Sequence, residues 1–193
     1  MHCRIILLHG PIPLHWSADA VARALTTLPY ARRLELERRD PRARLASLAG
    51  ARLAVAGLRR LRGESVQEPQ FEYAQDRKPR IRGGPHFSVS HSGARVACAI
   101  CESADVGLDL EVEDGRRDRA WLEHWTAVEA TLKAAGRGLR DSREVRVRVD
   151  GAWCGPQWYW TRRLDLAPYT VATLASAVAP GDVETVALAS IDP

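Results

Sequence analysis

Long apolar runs are missing from this 193-residue chain, and none approaches the roughly 18 residues that a membrane-spanning helix requires. The first apolar run, Ile5-Ile6-Leu7-Leu8, is short and lacks a small-residue cleavage site after it, so a cytoplasmic protein is expected rather than a secreted one. Cysteine is scarce at four residues, too few for a disulfide framework in a chain of this length. Cys98 and Cys101 form a C-x-x-C, but the stretch reads as a strand, on which residues three apart face opposite ways. No second pair completes a zinc site, and structural thiols are expected. No P-loop motif is found. A G-x-S-x-G nucleophile turn fails because Ser88 stands where Ser90 would need a glycine. Lysine is nearly absent: Lys78 and Lys133 are the two, and arginine supplies the rest of the 28 basic residues. Against 24 acidic residues this leaves a formal charge of +4, a mild excess that suits an anionic ligand without demanding one.

What is present is enough apolar material for one sizeable core or two small packed lobes, with 46% hydrophobic residues. The pattern predicts a strand over 4–9 closed by Gly10-Pro11, then helices over 19–28, 30–39 and 42–61. Short extended segments follow at 71–73, 87–90 and 95–101. A strand over 106–112 precedes a helix from about 118 to 135, whose apolar residues Trp121, Leu122, Trp125, Val128 and Leu132 are expected to form a buried stripe. Gly136 and Gly138 stop that helix, and strands are expected over 144–149, 157–164, 169–178 and 183–191. Helices with antiparallel strands in each half give an α+β class.

The residues that can carry chemistry lie around the middle of the chain. Asp109 and Glu111, two apart on a strand, project from one face, while Leu108 and Leu110 point the other way into a core. Glu129 and Lys133, four apart on the following helix, also share a face. Carboxylates gathered on one side repel unless a cation lies between them, and Mg²⁺ takes a few carboxylates together with waters and substrate phosphates. Singly, each pair would read as a solvated surface feature. Phe87-Ser-Val-Ser-His-Ser-Gly93 adds hydroxyls, a histidine and a glycine at the end of a strand, a favourable edge for phosphate.

Three segments in order, Phe87-Ser-Val-Ser-His-Ser-Gly93, Val106-Gly-Leu-Asp-Leu-Glu111 and Trp125-Thr-Ala-Val-Glu-Ala-Thr-Leu-Lys133, resemble the signature of the 4′-phosphopantetheinyl transferases. Arg77-Lys78-Pro79 is similar to the upstream Gly-Lys-Pro of that family's long, pseudo-dimeric branch, the surfactin-synthetase-activating type. The resemblance implies two similar α/β lobes, 1–103 and 104–193, packed as one unit with the active site in the cleft between them. It implies coenzyme A as co-substrate, Mg²⁺ (or Mn²⁺) on Asp109, Glu111 and Glu129, and phosphate contacts from Lys78, Ser90, His91 and Lys133. Arg44 is assigned to the 3′-phosphate, with Arg42 competing. Glu129 and Lys133 are the expected catalytic groups. The implied partner is an acyl or peptidyl carrier protein, with neither nucleic acid nor membrane involved, and a monomer is expected.

The chain departs from the family pattern at three places. Val128 stands where a lysine is common, and Ser88 where asparagine is common. Glu129 follows Glu111 by 18 positions, a shorter interval than in longer relatives, which place a carrier-receiving segment there. Two other readings compete: a different Mg²⁺-dependent phosphotransferase or nuclease using the same carboxylates, and a non-catalytic arginine-rich module that binds carrier proteins or nucleic acid.

Overall fold

A computed structural model describes residues 3–63, 69–73 and 78–193; Arg77, from the Arg77-Lys78-Pro79 motif, lies outside the described residues. The chain is mixed α+β. Strand β1 (Cys3–Pro11) leads into three helices, α1 (Ala18–Thr26), α2 (Tyr30–Glu37) and α3 (Pro41–Arg62). Each of the longer helices begins where a side chain can take its free N–H groups. Ser17 accepts from the Ala20 amide in α1, and Asp40 accepts from the Arg42 and Ala43 amides in α3, with Pro41 at the first helical position. Short strands β2 (Phe71–Glu72) and β3 (Arg80–Ile81) pair with each other, and β4 (His86–Ser92) and β5 (Arg95–Cys101) form a hairpin.

The second half opens with β6 (Val106–Val112) and α4 (Arg119–Ala135). Asp118 caps α4 by accepting from the Trp121 amide, and Gly136, at φ 66, ends it in the left-handed conformation that glycine adopts without a Cβ penalty. A 3₁₀ turn over Leu139–Glu144 follows, then β7 (Val145–Val147), β8 (Gly151–Cys154), β9 (Gln157–Leu164), β10 (Thr170–Ser176) and β11 (Pro180–Ala187).

Besides the β2-β3 pair, two larger sheets result, ordered β11-β1-β5-β4 and β6-β10-β9-β8-β7. Strand alternation builds four layers from them. Ile6, Leu8, Val96, Cys98 and Ile100 pack under α1–α3. Their neighbours Ile5, Leu7, Ala97, Ala99 and Cys101 turn the other way, against Val106, Leu108, Leu110 and Leu174 of the second sheet. The far face of that sheet, through Cys154, Tyr159 and Ala175, meets Val128, Ala130, Leu132 and Ala134 of α4. Cys98 and Cys101 therefore serve different cores, and all four cysteines are buried free thiols, as the strand reading predicts. Among the described residues no helix is long and apolar enough to cross a membrane.

Several boundaries differ from expectation for identifiable reasons. Strand β1 runs through Gly10-Pro11 because β11 stops opposite His9, leaving Pro11 paired only with Arg95 of β5. The single strand expected over 144–149 is a shorter β7 that turns at Arg148–Asp150 into β8, a strand not foreseen. The Asp150-Gly151 pair was the available turn signal. Trp121 is not part of a buried stripe. It is 41% exposed, stacked on half-buried Trp125 at 5.4 Å between ring centroids, with the Arg117 guanidinium 4.9 Å above it. The closing strand β11 runs parallel to β1 in the first sheet, so the sheet begun by the first half is completed by the last part of the chain.

Gly107 sets how closely α4 can approach β6. A Cβ there would lie 1.9 Å from the Ala130 carbonyl oxygen and 2.5 Å from the Ala134 nitrogen, both backbone atoms that have no rotamer to yield. Gly107→Ala is expected to cost about 2–3 kcal/mol and to lower the melting temperature by roughly 5–10 °C. Gly138→Ala, whose added methyl meets nothing within 4 Å, is the matched control and should stay within about 2 °C of the parent. Calorimetry of the two variants checks the pair.

Candidate functional site

The close contact at Gly107 decides what faces what. On β6, positions 107, 109 and 111 share the face toward α4, and α4 presents Glu129 and Lys133 one turn apart. One ligand atom from each of Asp109, Glu111 and Glu129 falls within 4.8 Å of the others, the one such cluster among the described residues. Asp109 is buried, with 2% exposure, while Glu111 and Glu129 are half-buried. The Lys133 Nζ lies 2.5 Å from Asp109 Oδ1 and 3.8 Å from Glu129 Oε2. A neighbouring contact fixes the helix beside this group: Thr126 and Thr173 share a buried hydrogen bond of 2.9 Å between α4 and β10.

The opposite wall is the serine-bearing strand β4. Its hydroxyls bridge to β6, with Ser88, Ser90 and Ser92 accepting from the amides of Leu108, Leu110 and Val112 at 3.0, 3.2 and 3.2 Å. Strands β4 and β6 are the edge strands of their two sheets, so these side chains satisfy amides that the second sheet leaves open. Ser90 also donates to Asp109 Oδ1 at 2.8 Å, and Ser92 donates to Glu111 Oε2 at 2.6 Å. Lys133 Nζ reaches Ser90 Oγ at 3.3 Å. Ser92 was not singled out from the sequence, although its alternation with Ser88 and Ser90 was the signal that puts all three on one face.

The electrostatics favour a missing positive charge. Desolvation is the first cause that raises the Glu111 carboxyl above its ordinary pKa; the Ser92 hydrogen bond opposes it and repulsion from Asp109 adds to it. Glu129 is raised for the same leading reason, then by Asp109, with Lys133 offsetting part. Asp109 Oδ2 is buried and has no hydrogen-bond partner among the described residues. A buried carboxylate oxygen without a partner is costly, and two half-buried carboxylates beside it supply the hard oxygen donors that Mg²⁺ takes.

The remaining expected residues fall at different distances from this cluster. His91 follows Ser90 on β4 and reaches solvent; desolvation first, then Lys133 and Arg39, hold its pKa below the ordinary value. Lys78 donates to the Val106 carbonyl at 2.5 Å, and burial lowers its pKa to about 8. It lines a pocket of about 170 Å³ with Pro79, Arg80, His86, Asp105 and Gly136. Arg44 is turned away: its guanidinium donates to the carbonyls of Leu36 at 3.0 Å, Glu37 at 2.9 Å and Arg39 at 3.5 Å, closing the end of α2. Arg42 instead donates to the Gly93 carbonyl at 3.0 Å, at the end of β4. A second, larger recess of about 570 Å³ opens beside Glu111, with Arg117, Trp121 and Trp125 in its wall.

No protein-family model matches the chain. It is similar to curated proteins described as 4′-phosphopantetheinyl transferases. One, from Bacillus subtilis, is 32% identical over 38% of this chain and 46% of its own length. HetI of Nostoc sp. is 23% identical over 45% of this chain and 50% of its own. A Synechocystis protein provisionally given the same description is 27% identical over 38% of this chain and 42% of its own. The chain thus spans about half the length of the curated relatives it matches, or somewhat less.

The raised carboxylates make a signed prediction. Folded Glu111 and Glu129 retain protons above the pH at which the unfolded chain releases them, so their contribution to stability falls as pH rises through the raised values. In a metal chelator at neutral pH, Glu129→Gln is therefore expected to raise the melting temperature, and the gain should shrink toward about pH 4. A lower melting temperature for the variant at neutral pH would mean that the Lys133 pairing outweighs desolvation and repulsion.

Proposed function

We propose that this chain is a 4′-phosphopantetheinyl transferase, moving the 4′-phosphopantetheine arm of coenzyme A onto a serine of an acyl or peptidyl carrier protein. The observation that carries the reading is the meeting of Asp109, Glu111, Glu129 and Lys133 at one strand–helix contact. These residues come from segments whose order and spacing resemble that family, and the similar proteins bear its name. We assign the chain to the long branch, with lobes 1–103 and 104–193 in a pseudo-dimeric arrangement, acting as a cytoplasmic monomer. In that scheme β11 is lent by the second lobe to the first sheet.

Asp109, Glu111 and Glu129 would hold Mg²⁺ or Mn²⁺, with Asp109 Oδ2 as the donor already buried and without a partner. Such an ion, when bound, supplies positive charge to phosphate oxygens. The protein's own groups do the rest. Lys133, anchored on Asp109 and Ser90, opposes negative charge on the pyrophosphate. The carrier serine oxygen forms a bond to the β-phosphorus of coenzyme A, the bond from that phosphorus to the bridging oxygen breaks, and 3′,5′-ADP leaves with the electron pair. Glu129, half-buried beside Lys133, accepts the serine proton. Ser90, His91 and Lys78 contact the phosphates, Lys78 by exchanging the Val106 carbonyl for a phosphate oxygen. Arg44 could join them only by giving up its three carbonyl partners.

One observation favours a second reading. Trp121, partly exposed beside Arg117, puts an aromatic ring and a cation at one surface, where a nucleobase would lie once the guanidinium swung off the ring, as the nucleic-acid module requires. That reading expects binding to single-stranded DNA with a steep salt dependence and no response to coenzyme A.

The deciding experiment is intact-mass spectrometry of several apo carrier proteins after incubation with this protein, coenzyme A and Mg²⁺, with EDTA as control. A metal-dependent gain of one phosphopantetheinyl group is expected. Asp109→Ala and Glu129→Ala are each expected to lower the rate by roughly 100-fold or more. Near-normal transfer by either variant would overturn the carboxylate assignment, and no transfer to any carrier together with no binding of coenzyme A would overturn the function.

A further inference from the structure

The three serine hydroxyls of β4 are not equivalent. Each accepts a β6 amide 20 positions further on, from Leu108, Leu110 and Val112. Two of the three also donate to the residue 19 positions on. For Ser90 and Ser92 that residue is a carboxylate, Asp109 and Glu111. For Ser88 it is Gly107, which has no side chain to receive a proton. The same strand therefore carries one hydroxyl that only joins the sheets and two that also hold the acidic cluster.

The two held carboxylates differ in their need for support. Asp109 is short, buried and fixed from three sides, by Ser90, Lys133 and the packing around it. Glu111 has a longer side chain, sits half-buried near the end of β6 and borders the open recess beside Trp125. Repulsion from Asp109 and the pull of solvent both draw it outward. Ser92 is the contact that opposes this. Its hydroxyl, aligned by accepting the Val112 amide at 3.2 Å, directs its one hydrogen to Glu111 Oε2 at 2.6 Å.

We infer that Ser92 is a positioning residue for the divalent-cation site: it pins the Glu111 carboxylate beside Asp109 and Glu129, so that the cluster meets a cation already assembled. The inference rests on the metal assignment of the proposed function. Groups that hydrogen-bond a metal-ligating carboxylate typically change metal affinity by about 10–100-fold when removed. The contact with Ser92 is single and partly exposed, which places its effect at the low end of that range.

The test measures cation affinity directly, by calorimetric titration of MgCl₂ and by the electron paramagnetic resonance signal of free Mn²⁺, each with coenzyme A present. Thermal melts in chelator accompany both. Ser88→Ala and Ser92→Ala each remove a hydroxyl that accepts a β6 amide, so both are expected to lower the melting temperature. Only Ser92→Ala is expected to weaken cation binding, by about tenfold, whereas Ser88→Ala stays within about twofold. Ser92→Thr, which keeps the hydroxyl, restores affinity. Equal affinity in Ser92→Ala and the parent, with the parent binding the cation, overturns the positioning role and leaves the metal site standing. Equal weakening in Ser88→Ala and Ser92→Ala also overturns it, since the effect would then belong to the sheet junction. A parent protein that binds neither ion overturns the metal site and this inference together.

Discussion

The junction between β4 and β6 is the contact on which the rest of this molecule depends. Two sheets packed face to face ordinarily meet through apolar side chains alone, and their edge strands expose open amides. Here the edges are joined by serine side chains, each contributing about 1 kcal/mol net once competition with water is counted. The larger consequence is geometric. A side-chain bridge holds two backbones further apart than a ladder would, and it leaves the intervening space lined with hydroxyls instead of closed by peptide bonds. The acidic residues of β6 open onto that space, and Lys133 from α4 reaches the same hydroxyl of Ser90. Sheet pairing, helix docking and the polar cluster therefore share atoms.

The cluster carries an internal imbalance. Three carboxylates crowd one place against a single lysine, in a setting where desolvation makes each additional charge costly. Lys133 cannot serve all three equally: it is close to Asp109 and more distant from Glu129. Stability is thus withheld at the point where chemistry is proposed, a pattern expected where a charged ligand completes the balance. Gly107 enforces the crowding, because any side chain there would push α4 and its Glu129 away from Asp109.

Much of this was legible from residue spacing. Period two on 106–112 placed Asp109 and Glu111 on one face and Leu108 and Leu110 in a core, and period 3.6 placed Glu129 with Lys133. Both patterns are local, and local patterns survive folding when a hydrophobic face enforces them. What spacing could not show was anything fixed by an approach between distant segments. Trp121 has the right phase for burial, yet it lies toward the start of α4, where Arg117 and the open recess take the place of a sheet. Arg44 has the right composition for an anion site, but the free carbonyls at the end of α2 lie closer and claim its donors. Strand β8 was hidden because 144–149 looked continuous; the turn over Arg148–Asp150 decided otherwise. The partnership of Ser92 with Glu111 needed the register between two sheets, which no single-strand pattern contains.

The parallel pairing of β11 with β1 carries a consequence for how the chain acquires its shape over time. Strand β1 has β5 on one side early in synthesis, but its other side waits for residues about 180 positions later. Until they arrive, the row of amides from Ile5 to His9 has no partner on that flank, and Trp16 lacks the Ile191 carbonyl that its indole donates to. Contacts that distant raise the entropy to be lost before any reward is gained. A nascent chain on the ribosome would thus carry an incomplete first sheet with a bare edge until β11 had emerged. The arginine-dense surface of α3 beside it, with Arg60 later pairing to Glu184 of β11, would in that interval repel other copies carrying the same edge.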